Sequence, residues 1–461
     1  MNRKTRLTLF ITLVVLYIVI SPMLIFYSLG YRFDFDKKRL VSTGGLYVKT
    51  WPSNVEVILD KKYIKKTTFL SSEVFYQGLF PKKHNIVVKK DGYFTWEKNL
   101  ETPEKEVTKL LNVTLIKEKI IFEKWSQAAD NMYFSPDNRS ILITTSNGDV
   151  TNFKILDAET KQNLNIFELS VLPPNFDVIW SQDSNKILIK DINSKYPYRY
   201  YLFDRSTGQE PVAEKLTEIT KPITNISFNP TDSGEIFFLQ NNILYSKKSK
   251  TLPVIKDVLN YRVADNKITY LSKTGYVYTT DFSGKNANAL NEKPFPTKDE
   301  SSYEILIFSA SIFLKEDQTL LTWNDRSKEF EALHSPVNNI RISPDNSKII
   351  YSNDHEILFS ELSNPSEKNF LIRFSEKIND CFWLNNYYLF FNVAGNIKIS
   401  EIDTRDKVNI AELSQEIYLT DNSTLELKNP EIILGPDNKR IYILQDGSLF
   451  SSDPIIDKND K

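Results

Sequence analysis

One short pattern recurs eight times across the last three-quarters of the sequence, and it constrains the fold more than any other feature. In its fullest form an apolar stretch leads into Ser-Pro-Asp-Asn, as at residues 135–138 and 343–346, and a run of branched apolar residues follows within a few positions. The eight copies begin at Met132, Val178, Ile226, Tyr261, Ile312, Ile340, Phe382 and Ile432. Their irregular spacing lies near the period of about 40 to 50 residues at which strand-based repeats stack on one another. Such repeats bury their apolar faces between neighbouring units.

Each copy predicts short strands joined by tight turns. Proline presets the first corner of a turn, and Asp and Asn supply side-chain acceptors and tolerate positive φ. The branched apolar run that follows is typical of a strand buried on both faces. A second turn, as at residues 147–149 or 446–447, leads to a third strand, and turns such as residues 206–208 introduce an outer strand. Because a four-stranded sheet of this kind cannot cover both of its own faces, such sheets stack around an axis.

The sequence therefore predicts an all-β chain in which residues 117–455 form a β-propeller. Eight blades are favoured, with seven as the alternative, because some turns drift from the full pattern, as at residues 182–183 and 385–386. The last copy ends after its third strand, near Ser452. We therefore expect residues 118–125 to supply its missing outer strand and so to close the ring.

The repeats resemble those of TolB-type, WD-repeat-like β-propellers, whose units share a phenylalanine, serine, proline, aspartate, glycine, lysine pattern. Three of the eight turns keep the Pro-Asp pair followed by Asn, at residues 136–138, 344–346 and 436–438. The resemblance covers about residues 117–455 and implies the same kind of ring of blades.

A smaller strand-rich segment, residues 44–116, precedes the repeats. Residues 45–48, residues 52–57, Asp60 and the closing Lys-Lys-Asp-Gly-Tyr of residues 89–93 are similar to the PEGA domain, a short bacterial surface module. Ser53-Asn54-Val55 stands where that family has Glu-Gly-Ala or Ser-Gly-Ala. The resemblance implies a small β-sandwich with a role in attachment to the cell envelope, and it supplies no catalytic residues.

The amino terminus carries an uncharged apolar run over residues 7–29. As a helix it would be about 35 Å long, enough to cross a hydrocarbon core of about 30 Å. The three cations of residues 3–6 favour a cytoplasmic amino terminus, although four more follow at residues 32–39. A cleavable signal peptide is the alternative, because residues 28–30 resemble a cleavage site, but its apolar region would usually span only about 7 to 15 residues. The sequence thus predicts a single-pass plasma-membrane protein whose bulk is extracytoplasmic.

Charge differs between the segments of the chain. Residues 1–45 carry a net charge of +5, residues 46–116 carry +4, and the remainder carries −10, for a total of −1. An acidic outer part disfavours nucleic acid as a partner. We expect the following organisation: a cytoplasmic stub and transmembrane anchor at 1–30, a linker at 31–43, a PEGA-like sandwich at 44–116, a propeller at 117–455 and a tail at 456–461.

The residue types needed for catalysis or metal binding are sparse. With one cysteine, Cys381, and histidines only at 84, 334 and 355, neither a disulfide framework nor a zinc site is expected. No Gly-x-Ser-x-Gly, Walker or dinucleotide motif occurs, so no cofactor is predicted. His334 beside Ser335, and His355 beside Asp354, are interpreted as polar loop residues. The aspartates of the repeats, Asp183, Asp345 and Asp437, are interpreted first as turn residues.

Two patches are candidates for binding. Four tyrosines lie in the long insertion between the second and third strands of the second repeat: Tyr196, Tyr198, Tyr200 and Tyr201. Tyrosines on a loop can stack on a sugar or anchor a protein partner, and the alternative is a β-hairpin with aromatic cross-strand pairs. Eight lysines make the small module basic: 61, 62, 65, 66, 82, 83, 89 and 90. They are interpreted either as a surface that faces anionic wall polymers or lipid headgroups, or as a sheet surface that is simply solvated.

These observations predict a non-enzymatic, membrane-anchored binding or scaffolding protein of the cell envelope. Its propeller loops would bind a protein or a cell-wall glycan. The alternatives are a propeller-type glycan hydrolase or lyase, since two acidic residues at a propeller mouth suffice for that chemistry, and the extracellular part of a sensor.

Overall fold

The chain is seen here as a computed structural model, and its described residues fall into two compact units. The structure describes residues 3–35, 38–148, 150–169, 176–191, 199–207, 214–215, 223–249, 253–413, 416–428, 430–435 and 439–455. Unit 1 contains Met1–Ile120, Ile399–Leu413 and Ile455–Lys461, and unit 2 contains Ile121–Lys398 and Ser414–Pro454. Apart from one α-helix and the single 3-10 turns Arg205–Thr207 and Lys247–Ser249, the described elements are strands. The predicted all-β class with an amino-terminal helix is confirmed.

The helix of unit 1, α1, spans Arg3–Ser28 and contains Pro22. Its segment Thr5–Ser28 has a mean hydropathy of 2.7 and is not buried against the rest of the protein. A helix of this length and composition is able to cross a membrane, and a signal sequence has the same character.

A β-hairpin follows the helix, in the segment expected to be a linker. β1 (Tyr31–Asp34) pairs antiparallel with β2 (Arg39–Ser42). Gly30 makes the turn between helix and hairpin at φ +84°. Its carbonyl oxygen accepts hydrogen bonds from both the amide and the hydroxyl of Thr43, at 2.9 and 2.6 Å.

Two further sheets of unit 1 form the predicted small sandwich. One has the order β6-β3-β9 and the other the order β5-β4-β7-β8. The strands are β3 (Gly44–Trp51), β4 (Glu56–Leu59), β5 (Tyr63–Lys66), β6 (Glu73–Leu79), β7 (Lys83–Lys89), β8 (Trp96–Glu101) and β9 (Val107–Thr114). Alternate residues of each sheet point inward, so Leu46 and Val48 of one sheet meet Val57, Ile86 and Val88 of the other in one buried core.

The segment Ile399–Leu413 belongs to unit 1 through polar contacts with β8. β8 is the edge of its sheet, so its outward amides need partners from elsewhere. The amide of Glu97 donates to Asn409 Oδ1 at 3.1 Å, and the amide of Asn99 donates to Asp406 Oδ2 at 2.7 Å. Side chains of this segment thus cap an otherwise open sheet edge.

The described strands of residues 121–452 form eight sheets, called blades 1 to 8 here; they belong to unit 2, except that blade 7 ends in the segment Ile399–Leu413 of unit 1. Within the described residues, each of blades 1 to 7 is a four-stranded antiparallel meander, as the repeats predicted. The strands that open the unit are β10 (Ile121–Ala128), then blade 1, β11 (Asn131–Phe134), β12 (Ser140–Asn147), β13 (Val150–Asp157) and β14 (Asn163–Leu169); blade 2, β15 (Phe176–Trp180), β16 (Lys186–Asp191), β17 (Arg199–Asp204) and β18 (Glu214–Lys215); blade 3, β19 (Asn225–Asn229), β20 (Asp232–Gln240), β21 (Ile243–Ser246) and β22 (Pro253–Ile255); and blade 4, β23 (Val258–Ala264), β24 (Lys267–Ser272), β25 (Val277–Thr280) and β26 (Asn288–Ala289).

The remaining blades follow in chain order. They are blade 5, β27 (Tyr303–Phe308), β28 (Ser311–Glu316), β29 (Thr319–Asn324) and β30 (Glu329–His334); blade 6, β31 (Asn339–Ile342), β32 (Lys348–Ser352), β33 (Glu356–Glu361) and β34 (Asn369–Arg373); blade 7, β35 (Ile378–Trp383), β36 (Tyr388–Val393), β37 (Asn396–Glu401) and β38 (Ile410–Glu412); and blade 8, β39 (Glu416–Leu419), β40 (Thr424–Glu426), β41 (Glu431–Leu434), β42 (Ile441–Gln445) and β43 (Ser448–Ser452).

The predicted closure of the ring is confirmed, and it uses more strands than the sequence suggested. β10 pairs antiparallel with β43, with Phe122 opposite Ser452. It also pairs in parallel with β39, which continues into β40, so the sheet of blade 8 has the order β40-β39-β10-β43-β42-β41. The first and last parts of unit 2 are therefore joined in one sheet, which is how propellers protect their edges.

Buried apolar clusters fill the spaces between successive blades. Phe153 of blade 1 packs with Phe176 and Phe203 of blade 2, and Phe237 of blade 3 packs with Tyr261 of blade 4. Similar clusters join blades 2 and 3, 4 and 5, 5 and 6, and 8 and 1. The repeats thus bury their faces against each other, as their pattern requires.

One repeat was assigned to the wrong strand. The copy that begins at Ile312 was interpreted as a first strand with a turn at Asp317, but these residues form β28 and the turn after it, and the first strand of blade 5 is β27. The first turn of this blade contains Ser309, at φ +52°, in place of an Asp or Asn. Without the usual turn residues the copy shifts by one strand.

The predicted turns at residues 135–138, 181–184 and 343–346 are confirmed. In each the serine hydroxyl donates to the aspartate two residues later at 2.6 Å, and the residue after the aspartate has positive φ. The turn predicted at residues 436–438 lies outside the described residues.

Some of these turns also bind the next blade. Ser233 of blade 3 donates its hydroxyl hydrogen to Asp183 of blade 2 at 2.7 Å, and Ser184 of blade 2 accepts from the amide of Asp137 of blade 1 at 3.1 Å. Asp183 and Asp345 are therefore turn residues, as interpreted from the sequence, and Asp437 lies outside the described residues.

We expect Asp183 to make stability depend on acid. Partial burial raises the pKa of its carboxyl, but hydrogen bonds from Ser181, Ser233 and Asn185 outweigh this and lower the pKa from 3.8 to about 2. A carboxylate with a lowered pKa stabilises the folded state above its unfolded pKa and loses that contribution as pH falls through its folded value. Between about pH 4.5 and about pH 2.5, thermal unfolding should therefore shift downward more in the wild type than in Asp183→Asn. An equal shift in both proteins would contradict this role.

Candidate functional site

The blades of unit 2 present two faces with different loops. The lower face carries the turns that join first and second strands, including the Ser-x-Asp turns. The upper face carries the segments that enter each first strand and the turns that join second and third strands, such as residues 353–355 and 446–447. Loops from all blades converge on such a face, which is where propellers offer room for a ligand.

A polar residue occupies the same register in the first strand of all eight blades. In each blade it lies three positions before a first-strand residue that pairs with an isoleucine or leucine of the second strand. These second-strand partners are Ile141, Ile187, Ile236, Ile268, Ile312, Ile349, Leu389 and Ile441. These eight residues, the polar ring, are Asn131, Asp177, Asn225, Asn260, Glu304, Asn339, Asp380 and Glu431. All are amides or carboxylates near the upper face, in strands that are otherwise mostly apolar.

Several members of the polar ring form hydrogen bonds with the first strand of an adjacent blade. Asn225 donates from Nδ2 to the carbonyl oxygen of Tyr261 at 3.1 Å, and Asn260 Oδ1 accepts from the amide of Ile305 at 3.0 Å. Asp380 accepts from Arg341 of the preceding blade with both oxygens, at 3.2 and 2.9 Å. The first strands therefore lie side by side around the axis, held in part by ring side chains.

Two carboxylates of the ring, Glu431 of blade 8 and Asp177 of blade 2, flank blade 1. The pKa of the Tyr133 phenol is raised to about 12 by burial and, further, by the negative charges of Glu431 and Asp177 on the two flanking blades. Glu431 reaches solvent, yet the protein around it removes part of its hydration and raises its pKa. The carboxylates of Glu431 and Asp177 therefore lie near enough to Tyr133 to act on its phenol, which packs against the cluster between blades 1 and 2.

Two open recesses lie on the upper face. One, of about 490 Å³, is lined by Ala129, Asp130, Lys428, Glu431, Leu444, Gln445, Asp446 and Gly447. The other, of about 310 Å³, is lined by Gln318, Pro336, Asn338, Asn353, Asp354, His355, Glu356 and Arg373. Both are walled mainly by polar and charged side chains, unlike the apolar pockets that hold small hydrophobic molecules.

The histidine pairs noticed in the sequence do not form a catalytic triad. His334 Nε2 lies 3.9 Å from Glu356 Oε2, while Ser335 shares a hydrogen bond with Thr319 at 3.0 Å. His355 Nδ1 faces the carbonyl oxygen of Glu376 at 3.3 Å. Burial lowers the pKa of His334, so its ring is neutral at pH 7. In the part of the chain that the structure describes, no three His, Cys, Asp or Glu side chains converge as metal ligands.

The four candidate tyrosines are placed differently. Tyr200 lies in β17 and is 1% exposed, packed in the cluster between blades 2 and 3, so its ring is not open to a ligand. Tyr201, next in the strand, is partly buried against the cluster between blades 1 and 2. Across the hairpin Tyr200 pairs with Lys190 and Tyr201 with Ile189, so neither of them forms an aromatic cross-strand pair with these partners. Tyr196 and Tyr198 lie outside the described residues.

The polar ring itself was not predicted, although the sequence contains its signal. In the first repeat the ring residue is Asn131, four positions before Ser135, and in the sixth it is Asn339, four positions before Ser343. An alignment of the eight copies on their turns shows a polar residue at this position in most blades. The fifth copy was assigned to the wrong strand, so Glu304 does not appear at this position in such an alignment.

Of the comparisons with known proteins, only the one with solved structures found matches. No family model matches the sequence, and no curated protein matches it. Among solved structures, the chain is similar to the β-propeller domain of Cps50 (Swd1) from Myceliophteria thermophila, at 12% identity over 73% of this chain and 99% of that chain, with a TM-score of 0.41. A eukaryotic initiation factor matches at 14% identity over 71% of this chain and 86% of that chain, with a TM-score of 0.45. The computationally designed Ika8 protein matches at 13% identity over 74% of this chain and 99% of that chain, with a TM-score of 0.45. The propeller assignment rests on the strand order and closure of unit 2.

Proposed function

We propose that this protein is a membrane-tethered binding or scaffolding protein that holds a partner protein on the upper face of its propeller. The observation that carries the proposal is the polar ring with its two flanking recesses. Amides and carboxylates at one register, beside open polar recesses, form a wide surface suited to main-chain and cationic groups of a protein.

The finer parts of the proposal come from the sequence. We propose that α1 is an uncleaved anchor in the plasma membrane, with the amino terminus in the cytoplasm and the rest outside. Residues 44–116 then act as a PEGA-like stem in a bacterial envelope, and residues 117–455 act as a TolB-type head. A cell-wall glycan is a second kind of ligand for this head, for which Tyr196 and Tyr198 are the proposed contacts.

Site-specific photocrosslinking tests the proposal. We expect a photoreactive amino acid at Asn338 or Asp446 on the upper face to form a discrete crosslinked product in cells that make the full-length protein. The same amino acid at Arg139 or Gln182, both exposed on the lower face, is the matched control and should give none. Digestion of intact cells with added protease, which removes unit 2 only if it lies outside, checks the orientation.

Equal crosslinking from both faces, or none from the upper face, would contradict the proposed site. A crosslinked product that appears only at Asn338 would place the partner over the smaller recess, and one that appears only at Asp446 would place it over the larger one.

A further inference from the structure

The end of the sandwich from which α1 emerges can be traced through a chain of contacts within unit 1. Gly30 binds Thr43, whose carbonyl oxygen accepts from the amide of Lys105 at 3.2 Å. Thr102, nearby in the chain, donates from its amide to the carbonyl oxygen of Lys82 at 3.2 Å and from its hydroxyl to that of Phe80 at 3.1 Å. His84 then bridges Phe80, at 2.9 Å, to the Asp60 carboxylate, at 2.7 Å. The loops around residues 60–62, 80–84 and 102–106 therefore share the helix end.

The lysines of the basic module divide between its two ends. Five exposed lysines lie in the loops of the helix end, and we call them the helix-end lysines: Lys61, Lys62, Lys82, Lys83 and Lys105. At the opposite end Lys66 and Lys89 both pair with Glu56, at 2.8 and 3.4 Å, and Lys90 donates to the carbonyl oxygen of Ser53 at 3.0 Å. Asp60, Glu101, Glu104 and Glu106 also lie at the helix end, with Asp60 held by His84. Cations are in excess there once the hairpin is included, because it adds Arg32, Lys38 and Arg39 against Asp34.

The hairpin after the helix adds exposed apolar rings to this basic end. Phe33 is 46% exposed and Phe35 is 82% exposed, with their ring centroids 5.1 Å apart. Leu40 on the paired strand is 50% exposed. Aromatic side chains flanked by cations are typical of the membrane–water interface, where rings enter the headgroup layer and ammonium or guanidinium groups meet phosphate.

Side-chain contacts hold the hairpin close to the end of the helix. The Arg32 guanidinium lies over the Tyr27 ring, 3.5 Å from its centroid, and donates to the Tyr27 carbonyl oxygen at 2.8 Å. The rings of Phe26 and Tyr31 also meet, 5.7 Å apart. If α1 crosses the bilayer, its last turn reaches the surface, and these contacts leave the hairpin within the headgroup layer, which is about 5 to 8 Å deep on each side.

We propose that the helix end of unit 1 docks on the surface of the membrane that holds α1, with Phe33 and Phe35 in the headgroup layer and the helix-end lysines against the phosphates of anionic phospholipids. The inference rests on the proposed function, because it needs α1 in a bilayer. Docking would fix the tilt of the sandwich on the membrane, which a single flexible tether would not do.

A fluorescent label at position 35 tests the docking in the full-length protein. The label is attached to Phe35→Cys in a Cys381→Ala background, in nanodiscs of phosphatidylcholine with and without phosphatidylglycerol and with a headgroup-linked nitroxide lipid as quencher. We expect the lipid quencher to reach this label, and to reach it more often when phosphatidylglycerol is present. Leu70 is 93% exposed in the turn between Thr68 and Ser71, next to Ser72, whose carbonyl oxygen accepts from the amide of Thr50 near the far end of β3. A label at Leu70 should be reached only by a water-soluble quencher.

Charge variants identify the contacts. We expect replacement of lysines 61, 62, 82 and 83 by glutamine to lower the docked-to-free ratio about fivefold for each lysine that touches the headgroups. Replacement of lysines 65, 66, 89 and 90 by glutamine removes the same charge from the opposite end and should leave the ratio unchanged. The proposal would be overturned if the two sets of replacements had equal effects, or if only a water-soluble quencher, and not the lipid quencher, reached the label at position 35.

A third label, at Ile18 in α1, separates the two possible failures. Ile18 lies midway along the apolar run of residues 7–29, so the quencher for this label is a nitroxide on the lipid acyl chain and not on the headgroup. If lipid quenches Ile18 but not position 35, the membrane anchor stands and the docking is wrong. If lipid quenches neither position, the membrane tether of the proposed function is wrong as well.

Discussion

Replacing Lys98 by methionine is expected to lower the free energy of unfolding by about 3 to 5 kcal/mol, the usual cost of removing one partner of a buried ion pair. The Lys98 side chain is fully buried, and its ammonium nitrogen lies 3.1 Å from Oε1 of Glu401, which is 5% exposed. It also donates to the carbonyl oxygens of Asp403 and Lys407, at 2.5 and 3.0 Å. Without Lys98, one carboxylate and two carbonyl groups are left buried with fewer donors.

The Glu401 side of the pair is equally constrained. Trp96 Nε1 donates to Glu401 Oε2 at 2.8 Å, and both the amide and the side-chain nitrogen of Asn409 donate to Oε1, at 3.0 and 2.7 Å. Glu401→Gln keeps the shape of the side chain and one acceptor oxygen, but it leaves the Lys98 ammonium without its nearest counter-charge. We therefore expect this variant to be strongly destabilised as well.

A double-mutant cycle checks that the two losses share one cause. Lys98→Met with Glu401→Leu replaces the pair by apolar groups, so its destabilisation should be clearly less than the sum of Lys98→Met and Glu401→Leu measured singly. The measurement is calorimetric unfolding of the full-length protein in detergent. Lys89→Met, which breaks an exposed pair with Glu56, is the matched control and should cost about 0 to 1 kcal/mol. If Lys98→Met costs no more than this control, the buried pair does not stabilise unit 1.

Local turn chemistry explains why so much of the propeller was predictable. Ser135 and Asp137 bond to each other within one turn, and Asn138 takes the positive φ that only a few residue types accept readily. Such a signal is contained in four consecutive residues and repeats with the fold. Where it is absent, as at Ser309, the prediction fails by one strand.

Contacts between distant parts of the chain left no comparable signal. Lys98 and Asp403 are 305 residues apart in the sequence, and residues 403–409 read as an ordinary polar loop. A lysine in an alternating strand is predicted to face solvent, since lysine is rarely fully buried. Only the fold brings a carboxylate and two carbonyl groups around it. The polar ring is an intermediate case, because each member is local but its meaning appears only when all blades are aligned.

Replacing Trp125 by alanine is expected to destabilise unit 2 by about 3 to 5 kcal/mol and to open the ring at its closure. Trp125 lies in β10 and is 4% exposed, packed with Tyr442 and Leu449 of blade 8 and with Met132 and Ile141 of blade 1. Its Nε1 donates to the Ser451 hydroxyl at 2.8 Å. Trp125→Phe keeps a ring in this cluster and loses the hydrogen bond, so it should cost only about 0.5 to 1.5 kcal/mol.

Loss of stability alone would not show that the closure has opened, so the decisive measurement is local. β10 is held to β43 by strand pairing and to its cluster by Trp125, so in Trp125→Ala it should detach without unfolding of the other blades. Trypsin should then cut after Lys124 faster than in the wild type.

Phe153→Ala is the control variant. It removes a fully buried ring between blades 1 and 2 and should cost a similar free energy. Because Phe153 is not in the cluster that holds β10, this control should leave the cut after Lys124 slow. Equal cleavage after Lys124 in the two variants would mean that the blades unfold together. In that case β10 would not detach before the other strands, and the prediction of a local opening at the closure would be wrong.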